Sequence, residues 1–477
     1  MNQRATHHDL PLAVDLDGTL VATDLMWEAI ILLLKRNPLY LFLVPIWALQ
    51  GAYVLKTKLA LHVDIDPQAL PYRTDFVEFL KAENEKGGKI YLATGTPRKF
   101  AEAIAAHLGL FTGVFATENG VSLTSSRKRA ALDAHFGAGG YDYAGNSHAD
   151  IAVFESARAA IIVAPDRVAG KYQKLHGSAL FSKASSSVKP LIKMLRVHQW
   201  AKNVLVAVPA VLANELDRPA TIMACFVAFV AFSFAASAIY IINDLIDLPL
   251  DRRHATKRKR SIAAGTVSIP VALSVALALM IASAAISLQL PSFFGVVLGS
   301  YVLMTTAYTF ALKRMLLIDV LTLAGLYTVR VIAGAAATLI DVSFWLLAFS
   351  VFFFLSLALV KRFVEIEHTD ANSTEKIAGR GYRAIDRQVI AESGIASAFA
   401  SALVLALYID SKEVQQLYGT PWLIWPLCPI VLYLSIRIWV LARRGEMHED
   451  PVVFLLSDWR SVLMVGLGAA LVFGASL

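Results

Sequence analysis

Charge is scarce in this chain. Only 17% of its 477 residues are Asp, Glu, Lys or Arg, whereas 57% are hydrophobic and the mean hydropathy is +0.57. A water-soluble globule must cover its surface with charge, so this balance excludes a wholly soluble protein. Cysteine is scarcer still. Cys225 and Cys428 both lie in apolar runs, which excludes a disulfide framework and a cysteine-based metal site. No cleavable signal peptide is expected, since residues 1–11 are polar and lead straight into a strand-like segment. What charge there is leans positive, with a net value of +7 and a pI of about 9.2. The basic residues sit beside apolar spans, where membrane orientation and anionic headgroups account for them. No nucleic-acid partner is expected.

The hydrophobicity is uneven, and it divides the chain. Residues 1–165 read as an α/β domain, 166–195 as a basic, Ser-containing linker, and 196–477 as an all-α polytopic membrane domain. Nine apolar stretches are long enough to cross a bilayer as helices: near 200–214, 219–242, 267–288, 292–311, 315–339, 343–361, 391–409, 421–442 and 459–476. Loops rich in Lys and Arg (251–260, 313–314, 361–387, 443–444) alternate with loops that have few. Positive-inside logic puts the basic set and the N-terminal domain in the cytoplasm, and an odd number of spans leaves the C-terminus outside. The expected location is the cytoplasmic membrane.

Within the first 165 residues, short β-like runs (PLAVDLD, KIYLATG, GVFAT, YDYAG, AAIIVAP) alternate with helical pattern, as in a doubly wound sheet. An apolar insert at 27–63 interrupts it, readable either as an interfacial hairpin on the bilayer or as a helical cap with its own core. Asp15-Leu16-Asp17-Gly18-Thr19 ends the first strand. Two carboxylates two residues apart at a strand's C-terminal edge suit phosphoryl chemistry, one attacking phosphorus and the other shuttling the proton of the leaving alcohol.

This DxDGT pattern resembles the haloacid dehalogenase (HAD) superfamily of phosphatases over roughly residues 9–165. The resemblance implies Asp15 and Asp17 as catalytic carboxylates that also bind Mg²⁺. It implies Thr94 as the phosphate-binding hydroxyl and Lys128, between Arg127 and Arg129, as the charge-neutralising lysine. It further implies Asn146 and Asp150 as metal ligands in GNSHAD, although the superfamily usually has aspartate where Asn146 stands. An amide supplies less charge than a carboxylate. A degenerate domain kept for docking is the alternative to an active phosphatase.

The second acidic motif ends the second span. On a helix Asn243, Asp247 and Asp251 lie one turn apart on one face, with Asp244 adjacent. Carboxylates near a bilayer are costly unless they serve a metal or pair with cations. Hard oxygen ligands followed by RRHATKRKR suit Mg²⁺ carrying a diphosphate. The bland alternative is an ion-pair cluster that only sets topology.

NDxxDxxxD resembles the motif of the UbiA prenyltransferase superfamily, and the likeness covers residues 190–477, with its greatest similarity to decaprenyl-phosphate phosphoribosyltransferases. Aromatic prenyltransferases of this superfamily carry a second Asp-rich motif at the end of the sixth helix. Here that place reads Lys361-Arg362-Phe363-Val364-Glu365, which suits added phosphates. The resemblance therefore implies Mg²⁺-dependent transfer of a phosphoribosyl group from phosphoribosyl diphosphate to a polyprenyl phosphate. Asn243, Asp244, Asp247 and Asp251 would hold the metal. Arg253, Lys257 and Arg258 would hold donor phosphates, with Lys202, Lys313, Lys361 and Arg362 as further phosphate contacts. The HAD domain would remove the 5-phosphate. The alternative is a conventional UbiA enzyme that moves a prenyl chain from prenyl diphosphate onto an aromatic or other acceptor, with a regulatory or degenerate HAD domain. Asp319 and Arg330, charged residues inside apolar spans, read either as a structural pair or as cavity lining, and Tyr308 as packing or site.

Overall fold

The computed structural model describes residues 10–118, 120–181, 188–367, 380–447 and 450–476. Part of the expected basic loop (368–379) and part of the expected linker (182–187) lie outside them. Contacts divide the chain into two units: residues 1–195 with 241–275, and residues 196–240 with 276–477.

The first unit is built on six parallel strands: β1 (Leu12–Val14), β2 (Ile90–Pro97), β3 (Gly113–Thr117), β4 (Asp142–Gly145), β5 (Ala160–Val163) and β6 (Ala179–Phe181). Their order is β3-β2-β1-β4-β5-β6. Strand β1 lies between β2 and β4 in register Val14 to Leu92 and Val14 to Ala144. The winding reverses at β1, so the crevice past its C-terminal end is where such sheets bind ligands. Alternation along β1 sends Leu12 and Val14 into one core and Ala13 into the other, which serves both faces of the sheet. This is the expected Rossmannoid α/β architecture. The stretch 166–195 differs from the expected linker. It holds helix Arg167–His176 and then β6, which pairs with β5 through Ile162 and Leu180, so the sheet continues to Phe181. Three strand residues inside a basic stretch gave no periodic signal.

The apolar insert forms three helices: α1 (Leu25–Arg36), α2 (Tyr40–Leu49) and α3 (Ala52–His62). Asp24 caps α1 by accepting from the amides of Met26 and Trp27. Leu25, Ala29 and Leu33 of α1 and Leu55 and Leu59 of α3 enter the sheet's core. Helix α2 buries nothing, and Phe42 and Leu49 are 71% and 89% exposed. The cap reading thus describes α1 and α3, whereas α2 presents apolar side chains outward.

Eight helices among the described residues are long and apolar enough to cross a membrane: Pro219–Ile246, Ile269–Ser287, Ser292–Phe310, Ile318–Thr338, Phe344–Glu367, Ala384–Ile409, Pro421–Arg443 and Trp459–Ser476. The remaining expected span, near 200–214, is instead a 3-10 run, Val197–Ala207, followed by a short α-helix, Val208–Leu212. At ideal rises these two pieces extend about 30 Å, close to a hydrocarbon core's thickness, because a 3-10 turn gains more length per residue. Gly334 lets the span Ile318–Thr338 approach this run closely: a Cβ there would stand 1.9 Å from the Val206 carbonyl oxygen.

Charged residues buried in the second unit pair differently from the sequence expectation. Asp319 meets Arg362 at 2.7 Å and accepts from the Tyr382 hydroxyl at 2.5 Å. Arg330 donates instead to Asn203 (2.8 Å), the Leu326 carbonyl (2.5 Å) and the Tyr301 hydroxyl (3.2 Å). Arg362 and Asp319 are both wholly buried. Asp319→Ala would leave a buried guanidinium short of its partner, at a cost of about 3–5 kcal/mol. The expected result is a lower thermal midpoint in detergent, largely recovered in the double variant Asp319→Ala/Arg362→Met. Equal midpoints for wild type and Asp319→Ala would show that the pair does not stabilise the unit.

Candidate functional site

Asp15 and Asp17 sit where β1 ends, and Gly18 makes the turn beyond them with φ +78°. A side chain there would be strained and would strike the Asn146 amide. The amide of Asp15 is fixed by the Ala144 carbonyl at 2.9 Å, which ties the turn to β4. Lys128, in the first turn of helix Ser126–Phe136, donates to Asp15 at 2.7 Å and to Asp150 at 3.3 Å, so it, not Arg127 or Arg129, is the lysine in the crevice. The Thr19 hydroxyl lies 3.4 Å from the Asp15 carboxylate and 3.3 Å from the Asn146 side-chain oxygen, linking the two.

Asp17 accepts from the Leu25 amide (2.8 Å) and the Thr96 hydroxyl (2.6 Å). The expected phosphate contact, Thr94, is buried, and its hydroxyl accepts from the Thr96 amide at 3.1 Å. Thr96, not singled out in the sequence, is the residue on Asp17. Asp150 is fully engaged: it accepts from the Tyr143 hydroxyl (2.7 Å), from Lys128, from the amides of Asn146 (3.1 Å) and Ser147 (3.0 Å), and from the Ser147 hydroxyl (2.9 Å). These bonds make it the organiser of the GNSHAD turn.

Burial pushes the Asp15 carboxyl up to about 7; Lys128 opposes the rise, and the Asp150 and Asp17 carboxylates add to it. Burial, reinforced by Asp24, pushes Asp17 up to about 6. For Asp150 burial works upward, yet Lys128 and the hydrogen bonds hold it below its ordinary value. Lys128 thus faces two buried carboxylates, Asp15 and Asp150, while Lys56 is the cation that acts on Asp17. Among the described residues no group of three or more His, Cys, Asp and Glu is arranged as a metal site. The oxygen donors of Asp15, Asp17 and Asn146, with their excess negative charge, nevertheless fit a hard cation by chemistry. Asp150 does not, since its oxygens are already taken. A cavity of about 660 Å³ opens over Asp15, Asp17 and Lys128.

The second acidic motif is arranged by the join of two helices. Pro219–Ile246 carries Asn243 and Asp244, Asp247 caps the next helix, and Leu248–Arg253 carries Asp251. Backbone bonds from the Asp247 amide to the Asn243 carbonyl and from the Asp251 amide to the Asp247 carbonyl, both 2.9 Å, preserve the one-turn spacing through the join. Asp244 and Asp251 converge on Arg260, at 3.1 and 2.5 Å. Asp247 is 30% exposed and lies 4.0 Å from Lys35. Arg252 forms a buried two-pronged pair with Glu28 of α1, at 2.6 and 3.1 Å. Arg253 pairs with Asp66, while Lys257 and Arg258 stand exposed in the turn Lys257–Lys259. Arg260 and Arg252 belong to the expected basic run but were not the cations the sequence reading selected from it.

In the second unit Lys202 and Lys361 share one carboxylate. Asp450 meets them at 2.7 and 3.0 Å and accepts from the Tyr327 hydroxyl at 3.1 Å. Although Asp450 is buried, the two lysines hold it far below its ordinary range. No motif marked Asp450 in the sequence; its only local signal is the Asp-Pro that caps helix Pro451–Ser457. Arg362, expected beside Lys361 as a phosphate contact, is instead wholly buried in its pairs with Asp319 and Glu365. Lys313 lies in the turn Leu312–Arg314, and Tyr308 accepts from Arg380 at 3.0 Å.

An acidic motif at a helix join, followed by a basic run, in a chain with eight described helices apolar enough to cross a membrane, marks a polytopic membrane transferase. The chain belongs to the UbiA prenyltransferase family, which it matches over residues 203–459. A protein of Sinorhizobium fredii, "Uncharacterized protein y4nM", is 37% identical across 94% of this chain and 88% of its own length. Nodulation protein NoeC of Azorhizobium caulinodans is 31% identical over 58% of this chain and 91% of its own. Decaprenyl-phosphate phosphoribosyltransferase of Mycobacterium tuberculosis is 37% identical over 38% of this chain and 61% of its own length.

Proposed function

We propose that the membrane unit transfers a phosphoribosyl group from phosphoribosyl diphosphate to a polyprenyl phosphate, and that the α/β unit then removes the 5-phosphate from the lipid-linked sugar. The observation that carries the first step is the Lys202–Asp450–Lys361 cluster. Two ammonium groups around one carboxylate leave net positive charge, which suits a phosphate-bearing substrate. The named phosphoribosyltransferase relative supports the same reading. In the reaction a polyprenyl phosphate oxygen forms a bond to the anomeric carbon as the bond from that carbon to diphosphate breaks and diphosphate leaves. Asn243, Asp244, Asp247 and Asp251 would hold Mg²⁺, which supplies charge for the diphosphate. Arg253, Lys257 and Arg258, in the run that follows, would meet donor phosphates, with Lys313 as a further contact. Positioning and charge neutralisation suffice, and no covalent protein intermediate is needed.

In the α/β unit Asp15 would form a bond to phosphorus as the bond from phosphorus to the sugar oxygen breaks, and Asp17 would pass that oxygen a proton. Water then hydrolyses the acyl phosphate. Asp15 and Asn146 would hold Mg²⁺, which would supply charge to screen the phosphate, while the Asp17 carboxyl is kept for the proton. The expected orientation places this unit in the cytoplasm, where phosphoribosyl diphosphate is available. Joining both sites in one chain raises the effective concentration of the intermediate.

Asp450 also favours a second reading, conventional prenyl transfer, because it returns a carboxylate to the end of the sixth expected span. The two are separated by purified protein in detergent with Mg²⁺, polyprenyl phosphate and labelled phosphoribosyl diphosphate. Label entering the organic phase supports phosphoribosyl transfer. No label, together with consumption of a prenyl diphosphate, supports the second reading.

A further inference from the structure

The cavity above Asp15 and Asp17 has one wall that phosphate chemistry does not explain. It is formed by Gly265–Val271, with Pro190 and Leu191 beside it. All of these residues belong to the first unit, although residues 265–271 follow the acidic motif of the transferase and end inside a span that begins at Ile269. The wall is held in place. Gly265 has φ +67°, and a Cβ there would lie 2.4 Å from the Ala22 carbonyl oxygen, so the segment rests directly on the loop after Asp17. The Ser261 hydroxyl donates to the Pro190 carbonyl at 2.8 Å, and Arg252, paired with Glu28 of α1, donates to the Ala263 carbonyl at 3.1 Å just before the segment.

The wall is also chemically distinct from the floor. Asp15, Asp17 and Lys128 are charged, whereas the wall carries no charge: beside Thr266 and Ser268 it presents apolar Leu191, Ile269, Pro270 and Val271, and Val271 is 45% exposed. A volume of about 660 Å³ far exceeds a phosphate and falls within the usual range for whole ligands. A free sugar phosphate is polar throughout and gains nothing from such a wall. A phosphomonoester joined to an isoprenoid chain offers carbon to it.

We propose that Gly265–Val271 is a specificity wall, through which the α/β unit selects a sugar phosphomonoester carried on an apolar chain over the same sugar phosphate free in water. The proposal rests on the phosphatase reading of Asp15 and deepens it.

The test uses the full chain in detergent with Mg²⁺, comparing phosphate release from farnesyl-phosphoryl-ribose 5-phosphate and from ribose 5-phosphate. The expected wild-type ratio of kcat/KM favours the farnesylated ester at least about tenfold. Val271→Asp should pull that ratio toward one, and Val271→Leu should keep or raise it. A ratio near one in the wild type, or one that Val271→Asp leaves in place while Val271→Leu folds normally, overturns the wall. Release from neither ester overturns the phosphatase reading itself, and the wall falls with it.

Discussion

Asp15→Asn is expected to lower phosphate release from the lipid-linked phosphosugar by about 10⁴-fold or more, while label still passes from phosphoribosyl diphosphate to lipid. The amide has the carboxylate's shape, so the 2.7 Å contact with Lys128 and the turn at Gly18 should survive. What is lost is the nucleophile. Phosphate release and lipid labelling in one preparation read the two activities separately, and accumulation of the phosphorylated lipid product would link them in sequence. Undiminished release would assign the hydrolysis elsewhere. Thr96→Ala provides a milder comparison: it frees one Asp17 oxygen and should slow release by a smaller factor.

The second large effect is expected at Asp247. Its neighbours Asp244 and Asp251 both rest on Arg260 with side chains 8% and 5% exposed, whereas that of Asp247 is 30% exposed. Among the three carboxylates it is the one most open to a diphosphate and its metal. Asp247→Ala should lower transfer of label to polyprenyl phosphate by about 10²–10³-fold, the scale for losing one preorganised charge in a transfer site. Phosphate release from added farnesyl-phosphoryl-ribose 5-phosphate should continue. Transfer at the wild-type rate would reduce the motif to an ion-pair cluster that sets topology.

Much of this architecture was legible because it rests on short-range pattern. Five of the six strands are apolar runs bounded by turns, and the eight spans are long enough for length alone to mark them. The acidic motif's one-turn spacing was legible for the same reason, since i to i+4 bonding continues across the break at Asp247. Strand β6 was missed because three residues carry no period. Partners across the fold were harder to foresee. Asp319 and Arg330 share one helix, yet they are 11 positions apart and each turns to a residue from another segment, Arg362 and Asn203. Lys361 and Arg362 are adjacent in sequence yet turn to different partners, Asp450 and Asp319, since consecutive residues on a helix stand about 100° apart. Asp450 lies 89 positions from Lys361, and nothing local links the two.

The Arg252–Glu28 pair bears on how a gene for such a chain can be divided. The family match begins at residue 203, which invites a cut after Leu195 into a water-soluble piece and a membrane piece. That cut would separate Glu28 from the arginine that neutralises it and would strip the cavity of Gly265–Val271. It would also leave helix α2, with no buried residue, as the most apolar surface of a fragment meant for water. Separate expression of the two pieces of this chain would have to make good all three losses at once.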